Sequence, residues 1–321
     1  MVGNPWQPTT NLDMLQARAE LLQHIRGFFA ERDVLEVDTP LLASAIGTDP
    51  VLDPVRALLK DHAGTEQTLF LQTSPEFPMK RLLAAGSGAI YQLGKAFRNG
   101  EAGRKHNPEF TMLEWYRPGF TLEQLMAEVD ALLQNVLGLP PATRISYREL
   151  FMQHLDIDPF TICPADLMVR ARARIDTGFT SNNPDHWLDL LYSHCIEPAL
   201  MKPVCIHDYP PSQAALAKLA VNADGYQVAR RFEVVAQGLE LANGYDELAN
   251  ADEQRQRFER DQAQRRAEGL PVYPQDERLL AALASGLPAC CGVAVGVDRL
   301  LMLKTGASDI RDVISFPVNR T

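Results

Sequence analysis

Apolar residues recur at helical spacing in two segments of the chain. Residues 12–31 are predicted to form a helix, because an apolar side chain falls every three or four positions. These side chains are Leu12, Leu15, Ala19, Leu22, Ile25 and Phe29. A second helix is predicted to begin after the N-cap Thr121, with Gln124 three residues on, and to end near Gly138.

A third segment, residues 250–268, is rich in charge rather than in apolar residues. Asn250 and Glu253 predict a capping box at its N-terminus, so the segment is interpreted as a helix. Its charges of mixed sign favour a solvated surface, and a binding face built from its arginines is the alternative. Residues 140–225 are interpreted as mixed helix and loop, and no chemistry is assigned to them.

Two strand-like runs within residues 91–117 flank a polar loop, Asn99–Pro108. Because strand side chains alternate, one face of the second run carries an aromatic ring, an acid and a phenol. In the first run, the face with the small side chains ends at Arg98. This mixture suits a ligand with a flat base, a phosphate and an amine, and a partly solvated hairpin is the alternative. The side chains on the second run are Phe110, Met112, Glu114 and Tyr116.

A second hairpin is predicted within residues 230–248, with Gln237–Gly238 as its two-residue turn. In that register Glu233 opposes Ala242. Glu233 and Glu240 then share a face as diagonal neighbours, roughly 7–8 Å apart at the backbone. Paired acids repel one another without a cation, and magnesium favours a few carboxylates with phosphate oxygens. The pair therefore predicts a magnesium site, with two exposed glutamates on a solvated face as the alternative.

The segment that follows this hairpin predicts another turn at Asn243–Gly244, with Glu247 beyond it as a third acid. A separate run, residues 290–303, alternates valine with glycine and alanine, which leaves one nearly bare face for close approach of a ligand. Asp298 is predicted to cap the helix after this run, and Arg299 lies in its first turn. A cation there opposes the helix dipole, which favours an anionic ligand.

Composition narrows the class of protein. A chain of 321 residues can form one large domain or two small ones. The net charge of −10 argues against a general nucleic-acid-coating protein, although a small basic patch stays compatible with it. The five cysteines show no Cys-x-x-Cys pair and are interpreted as structural thiols. The first thirty residues lack an apolar run with a basic leader, so a cytoplasmic protein without membrane contact is expected.

Together these segments resemble the signature motifs of class II aminoacyl-tRNA synthetases, specifically those of the lysyl subgroup. Phe97–Asn99 and His106–Phe110 are similar to motif 2, and Gly296–Arg299 is similar to motif 3. Val34–Pro40, with the helix before it, is similar to motif 1, which forms a dimer interface in that family. The resemblance runs over nearly the whole chain. It implies one α+β catalytic domain over residues 1–321, with a mostly antiparallel sheet flanked by helices.

The resemblance implies that the protein uses ATP and Mg²⁺. Arg98 would bind the α-phosphate and the substrate carboxylate, and Arg299 would hold the γ-phosphate, so these two are the expected catalytic residues. Phe110 would stack on adenine, and His106 would lie near the outer phosphates. The expected ATP-binding residues are Arg98, Asn99, Gly100, His106, Asn107, Phe110, Glu240, Leu241, Gly296 and Arg299.

The resemblance also implies the metal ligands and the contacts to a lysine-type substrate. Glu233 and Glu240 match the magnesium-binding acids of the family, in agreement with the hairpin pattern. Thr73–Glu76 matches the loop that contacts the substrate amine, which needs such partners because an unpaired buried ammonium is too costly. The expected substrate-binding residues are Ser74, Pro75, Glu76, Glu114, Tyr116, Glu247 and Ala294.

Two departures from lysyl-tRNA synthetases refine this expectation. Motif 1 begins within about forty residues of Met1, which leaves no room for an anticodon-binding barrel. Ala294 stands where those synthetases have glycine. Both features resemble the elongation factor P–lysine ligase family, whose members activate (R)-β-lysine and transfer it to a lysine ε-amine of elongation factor P. Gly100 stands where motif 2 usually has glutamate, with Glu101 next to it.

The expected partners are therefore elongation factor P, a lysine-type small molecule and a second copy of the chain through motif 1, with tRNA not expected. Two alternatives stay open at this point. One is a lysine-activating enzyme that acylates tRNA or a tRNA-like RNA. The other is a non-catalytic regulator with the synthetase fold, which the presence of the two motif arginines and both magnesium acids disfavours.

Overall fold

The computed structural model describes residue 4 and residues 6–321. The expectation that no leader is present falls partly on residues 1–3 and 5, which lie outside the described residues. The chain divides into two compact units. Unit 1 holds the described residues up to Phe120 with Asn135–Leu137 and Leu248–Thr321, and unit 2 holds Thr121–Gln134 and Gly138–Glu247. The single catalytic domain expected over the whole chain stays a prediction.

The described residues form the following elements. The α-helices are α1 (Leu12–Ala30), α2 (Glu76–Ala84), α3 (Leu122–Leu137), α4 (Tyr147–Leu155), α5 (Pro164–Arg172), α6 (Pro184–Leu191), α7 (Ala251–Ala267), α8 (Glu277–Gly286) and α9 (Val297–Thr305). The strands are β1 (Leu35–Glu36), β2 (Leu42–Ala43), β3 (Arg56–Lys60), β4 (Glu66–Leu71), β5 (Ile90–Phe97), β6 (Glu109–Pro118), β7 (Thr143–Ser146), β8 (Val204–Tyr209), β9 (Leu219–Val221), β10 (Gln227–Ala236), β11 (Leu239–Asp246) and β12 (Cys290–Gly296).

Unit 1 is built on a sheet in the order β1-β5-β6-β12, in which only the β1–β5 pair is parallel. Helix α1 buries one face against this sheet. Its Phe29 ring stacks on Tyr91 of β5 at 4.4 Å between centroids and meets Trp115 of β6 edge to face. This packing holds β5 and β6 in place with their other face available. A smaller antiparallel sheet has the order β2-β4-β3.

Unit 2 contains the strand order β11-β10-β8-β7, with β9 paired to β10. Helices α4, α5 and α6 cover it with an apolar core that includes Phe151, Trp187 and Leu191. The interpretation of residues 140–225 as helix and loop was wrong for β7, β8 and β9. Their short apolar runs carry too few residues for periodicity to separate a buried strand from a helix.

The helix predictions were confirmed where a local cap defines the end. Helix α1 starts at the N-cap Asn11, and α3 has a full capping box between Thr121 and Gln124. Helix α7 starts at Asn250, but the Glu253 carboxylate binds the side chain of Arg257 instead of completing a box. None of the helices in the described part of the chain is long and apolar enough to cross a bilayer.

The prediction of a solvated surface for the arginines of α7 was wrong for two of them. Arg257 and Arg265 are buried, whereas Arg260 and Arg266 are exposed. The guanidinium of Arg265 is held by backbone carbonyls and by a carboxylate of another segment of unit 1. Tertiary contacts of this kind leave no trace in the charge pattern of a helix.

Candidate active site

One face of the unit 1 sheet carries the ligand-type side chains that strand alternation predicts. Residues directly opposite one another in neighbouring antiparallel strands share a face. Small residues on both flanking strands leave space over β6, as the alternating glycine and alanine pattern predicted. The face consists of Phe110, Met112, Glu114 and Tyr116 of β6, Gln92, Gly94 and Ala96 of β5, and Gly292, Ala294 and Gly296 of β12.

Glu114 is the central acid of this face and is only 3% exposed. Its carboxylate accepts hydrogen bonds from the Ser74 hydroxyl at 2.7 Å and from the Tyr116 hydroxyl at 2.6 Å. Burial, and then the charge of Glu76, raise the pKa of Glu114 to about 7. An ammonium group is the natural partner for such an acid, because it restores the ionised state that burial disfavours.

Glu76, the first residue of α2, lies beside this acid and carries its own counter-ion. Lys80, one turn further along the helix and 1% exposed, donates to the Glu76 carboxylate at 2.6 Å. The structure therefore brings Ser74, Glu76, Glu114 and Tyr116 together as predicted. Lys80 was missed, although its i,i+4 spacing from Glu76 was a visible signal.

Arg98 and Phe110 meet at the loop end of the β5–β6 hairpin. The Arg98 guanidinium carbon lies 5.2 Å from the centroid of the Phe110 ring. One guanidinium nitrogen is 3.8 Å from the carboxylate of Glu101, and the Arg98 amide donates to the Pro108 carbonyl at 2.9 Å. A cation beside an aromatic face can accommodate a planar base and a phosphate.

The two other predicted phosphate ligands of unit 1 also lie together. Arg299, in the first turn of α9, has a guanidinium nitrogen 2.7 Å from Nε2 of His106. Asn107 is buried, and its side chain donates to the Glu109 carbonyl at 2.6 Å and accepts from the Val318 amide at 3.1 Å. The Asn107 amide thus joins the polar loop to the C-terminal segment.

The predicted role of Asp298 as a helix cap was wrong. Gly296 is the N-cap of α9, and no side chain caps it. Asp298 lies one position inside the helix, where its buried carboxylate accepts from the Arg18 guanidinium at 2.7 Å and from the Thr111 amide at 2.6 Å. Asp298 therefore ties α9 to α1 and β6 directly beside Arg299. Arg18 was missed by the sequence patterns.

In unit 2, the predicted turn of the β10–β11 hairpin was confirmed. Gln237 and Gly238 have φ angles of 53° and 67°, which suits a two-residue turn of the primed type. Val235 pairs with Glu240 as predicted. The register then shifts by one residue, so Glu233 pairs with Asn243, and the predicted pairing with Ala242 was wrong.

The turn predicted at Asn243–Gly244 was also wrong. Both residues continue β11, where Gly244 pairs with Phe232. An uninterrupted ladder satisfies the backbone groups that a turn would leave to solvent. Glu247 follows the strand, is buried, and pairs with Ala217 in an isolated bridge.

The side chain of Glu233 in unit 2 is only 12% exposed, and Arg231 on the same strand donates to its carboxylate. Burial raises the pKa of Glu233 to about 7; Arg231 opposes this rise, and the charge of Glu240 adds to it. The Arg231 guanidinium also lies 4.4 Å from the centroid of the Tyr209 ring. The predicted placement of Glu233 and Glu240 on one face as a magnesium pair stays a prediction, because the register shift lies between them.

The carboxylates of Glu233 and Glu240 in unit 2 fit a magnesium ion whose other ligands would come from phosphate and water. Carboxylate oxygens are suitable ligands, and Mg²⁺ often takes one or two of them with phosphate oxygens and water. No group of three or more His, Cys, Asp or Glu placed to hold a metal is found among residue 4 and residues 6–321. Leu241, expected beside ATP, has its side chain in the core.

Comparison with known proteins defines the class of this chain. The family model described as tRNA synthetases class II (D, K and N) matches residues 7–320. The chain therefore belongs to the class II tRNA synthetase family. The α+β fold with a mostly antiparallel sheet, expected from the sequence, is confirmed.

Relatives that match the chain over nearly its whole length share a more specific name. The chain is 50% identical to a protein of Proteus mirabilis (strain HI4320) named elongation factor P–(R)-β-lysine ligase, with 98% of each chain covered. Proteins of the same name from Yersinia enterocolitica and Salmonella paratyphi B are 49% and 48% identical over the same share. The resemblance to this ligase family is confirmed.

Proposed function

We propose that the protein is an ATP-dependent ligase that activates (R)-β-lysine as its adenylate and transfers it to a lysine ε-amine of elongation factor P. The buried acid Glu114 carries the proposal, because burial disfavours its ionised state and an ammonium group of the substrate would restore it. The names of relatives about 50% identical over 98% of the chain support the particular substrate and acceptor.

In the first step, the substrate carboxylate attacks the α-phosphorus of ATP and pyrophosphate leaves. Arg98 binds the α-phosphate and the incoming carboxylate, and Phe110 stacks on the adenine. Arg299 and His106 bind the outer phosphates. These groups act by positioning and by stabilising negative charge, so the step needs no protein nucleophile. Asn99, Gly100, Asn107, Glu240, Leu241 and Gly296 complete the proposed ATP contacts.

The amino groups of the substrate bind Glu114, Glu76 and Glu247, with Ser74 and Tyr116 holding Glu114 in place. Ala294 lies directly opposite Glu114 in the β6–β12 register. Its methyl group narrows the floor beside the acid, which would shift the position of a bound amine. This position therefore supports a preference for a lysine isomer over α-lysine. Pro75 completes the proposed set.

Magnesium would be held by Glu233 and Glu240, and when bound it neutralises charge on the phosphates. Arg231 keeps the Glu233 carboxylate in one orientation. In the second step the ε-amine of the acceptor attacks the carbonyl carbon of the mixed anhydride. The new amide bond forms, AMP leaves with the electron pair of the broken bond, and the amine loses a proton.

We also propose that two copies associate through motif 1. Exposed apolar side chains support this proposal, because such side chains cluster on α1 and on the segment after it. They are Leu12, Leu15, Leu35, Leu41 and Leu42. The acceptor is a translation factor, which supports a cytoplasmic location.

ATP–pyrophosphate exchange tests the activation step. The purified enzyme with Mg²⁺ is expected to exchange pyrophosphate with (R)-β-lysine at a higher kcat/KM than with α-lysine. Acylation of tRNA is measured in parallel and is expected to be absent. A preference for α-lysine together with acylated tRNA would contradict the proposal, and absence of exchange with either isomer in folded protein would point to a non-catalytic role.

A further inference from the structure

Arg265 of α7 is a buried cation whose contacts lead to the polar loop of motif 2. It is 1% exposed, and its guanidinium donates to the carbonyls of Pro271 at 2.5 Å, Asp49 at 2.7 Å and Leu52 at 3.1 Å. A further nitrogen donates to the carboxylate of Asp53 at 3.1 Å. This arrangement fixes the segment 49–53 against α7.

Asp53 connects this cation to Asn99, the residue after Arg98. The Asn99 amide donates to the Asp53 carbonyl at 2.8 Å, and the Asn99 side chain donates to the Asp53 carboxylate at 3.2 Å. The Tyr273 hydroxyl also binds this carboxylate. Burial acts in the opposite direction, but the bonds from Tyr273 and Asn99 and the charge of Arg265 hold the pKa of Asp53 below its usual range.

The backbone conformation after Asn99 explains why the contacts between Asp53 and Asn99 matter for the loop. Gly100 has a φ of 80°, in the left-handed region that glycine adopts freely, and residues 102–106 of the loop beyond it are exposed. A glycine places little restriction on the direction of the loop. The double contact from Asp53 therefore defines where the loop begins, directly beside the Arg98 guanidinium.

We infer that Arg265 and Asp53 are positioning residues for the nucleotide loop, which hold Asn99 so that Arg98 and the residues up to His106 meet the phosphates of ATP. This inference rests on the proposed function, because it assigns the loop to ATP. The hydrogen bonds of Arg265 and Asp53 lead to segment 49–53, Asn99, Pro271 and Tyr273, and not to the Glu114 carboxylate, so we expect the amino acid side of the site to be less affected.

Asp53→Asn is the first test, since asparagine keeps the size but removes the charge that Arg265 and Asn99 share. In ATP–pyrophosphate exchange, the KM for ATP is expected to rise about five- to tenfold, with the KM for (R)-β-lysine within about twofold of wild type. Glu66→Gln, at an exposed position of β4, is the matched control and is expected to change neither constant. Equal rises in both KM values would overturn the inference, because they indicate a general loss of structure.

Limited trypsin digestion gives a second readout that does not depend on activity. Cleavage after Arg104 and Lys105, both exposed, is expected to be at least about threefold faster in Asp53→Asn at an unchanged melting temperature. Arg265→Met is expected to act in the same direction, with the neighbouring exposed Arg266→Met as its control. Unchanged cleavage and an unchanged KM for ATP in folded Asp53→Asn would overturn the inference. If wild-type enzyme shows no exchange, the proposed function fails, and faster cleavage still supports the loop connection.

Discussion

Two glutamates, Glu114 buried in unit 1 and Glu233 nearly buried in unit 2, show how the partners of the same residue type can differ. Burial raises the pKa of Glu114 and of Glu233 to about 7 in both cases. Their partners differ. Within the described residues, Glu114 receives its hydrogen bonds from the neutral hydroxyls of Ser74 and Tyr116, whereas Glu233 is bound by the guanidinium of Arg231.

The difference concerns where the compensating charge comes from. Hydroxyls orient the Glu114 carboxylate without neutralising it, and the nearby Lys80 ammonium is bound to Glu76, so the proposed substrate ammonium would supply the additional positive charge. At Glu233 the protein supplies a cation of its own, so the acid stays oriented in the absence of metal and shares its charge with Arg231. Ligand binding should therefore stabilise the Glu114 site more than the Glu233 site. The Glu233 carboxylate already has a cationic partner within unit 2.

The comparison of the two glutamates predicts the largest effect on activity for substitution of Glu114. The Glu114→Gln variant should lose about 100- to 1,000-fold in kcat/KM for (R)-β-lysine, because a buried ammonium loses its charged partner. The KM for ATP should change little. ATP–pyrophosphate exchange measures both constants. Glu109→Gln, at an exposed position on the same strand, is the control and should retain wild-type values; a loss below about fivefold in Glu114→Gln would contradict the ammonium site.

The stability of the two variants should differ as well. Glu233→Gln leaves the nearly buried Arg231 charge without its carboxylate, so the free energy of unfolding should fall by about 3 kcal/mol. Glu114→Gln replaces a buried carboxylate held by hydroxyls, and the nearby Lys80 ammonium keeps the carboxylate of Glu76 as its partner, so stability should stay within about 1 kcal/mol of wild type or rise. Urea denaturation compares the two. Equal losses in both variants would remove the distinction between the sites.

The pH dependence of stability provides a third comparison. A glutamate whose pKa is raised to about 7 in the folded protein holds its proton over a range in which the unfolded chain has already lost it. Stability without ligand should therefore fall as pH rises between about 4.5 and 7, by about 1–3 kcal/mol. Denaturation at several pH values should show a smaller fall in Glu114→Gln. The same fall in both proteins would assign it to other groups.

The smallest predicted effect on activity comes from removing a hydroxyl that binds Glu114. Tyr116→Phe removes one of the two hydrogen bonds to Glu114 and keeps the ring, so kcat/KM for (R)-β-lysine should fall about tenfold. The pH at which this constant reaches half its plateau should rise, because the ionised carboxylate loses a donor. A pH–rate profile of the exchange reaction measures both changes. Tyr226→Phe, in the turn between β9 and β10, is the control.

Local signals predicted much of the fold. The caps at Thr121 and Asn250 and the turn at Gln237–Gly238 each depend on neighbouring residues alone, and all three are found. The alternation that placed Glu114 and Tyr116 on one face is equally local. These features could be predicted because the residues that form their hydrogen bonds and set their periodicity lie within a few positions of one another.

The features that were missed depend on partners distant in the chain. The register shift opposite Glu233 results from the pairing of whole strands, and the burial of Arg265 results from its contacts with segment 49–53. Asp298 carried the signature of a helix cap but is bound by Arg18, about 280 positions earlier. The substrate-binding and magnesium roles of the site residues stay predictions until they are measured.

Intact-mass analysis of elongation factor P tests the central claim most directly. After incubation with the enzyme, ATP, Mg²⁺ and (R)-β-lysine, the factor should gain the mass of one β-lysyl group at a single lysine. Glu109→Gln enzyme should produce the same gain, and Glu114→Gln enzyme should produce almost none. An unchanged mass of the factor, with wild-type enzyme that is active in ATP–pyrophosphate exchange, would contradict the account.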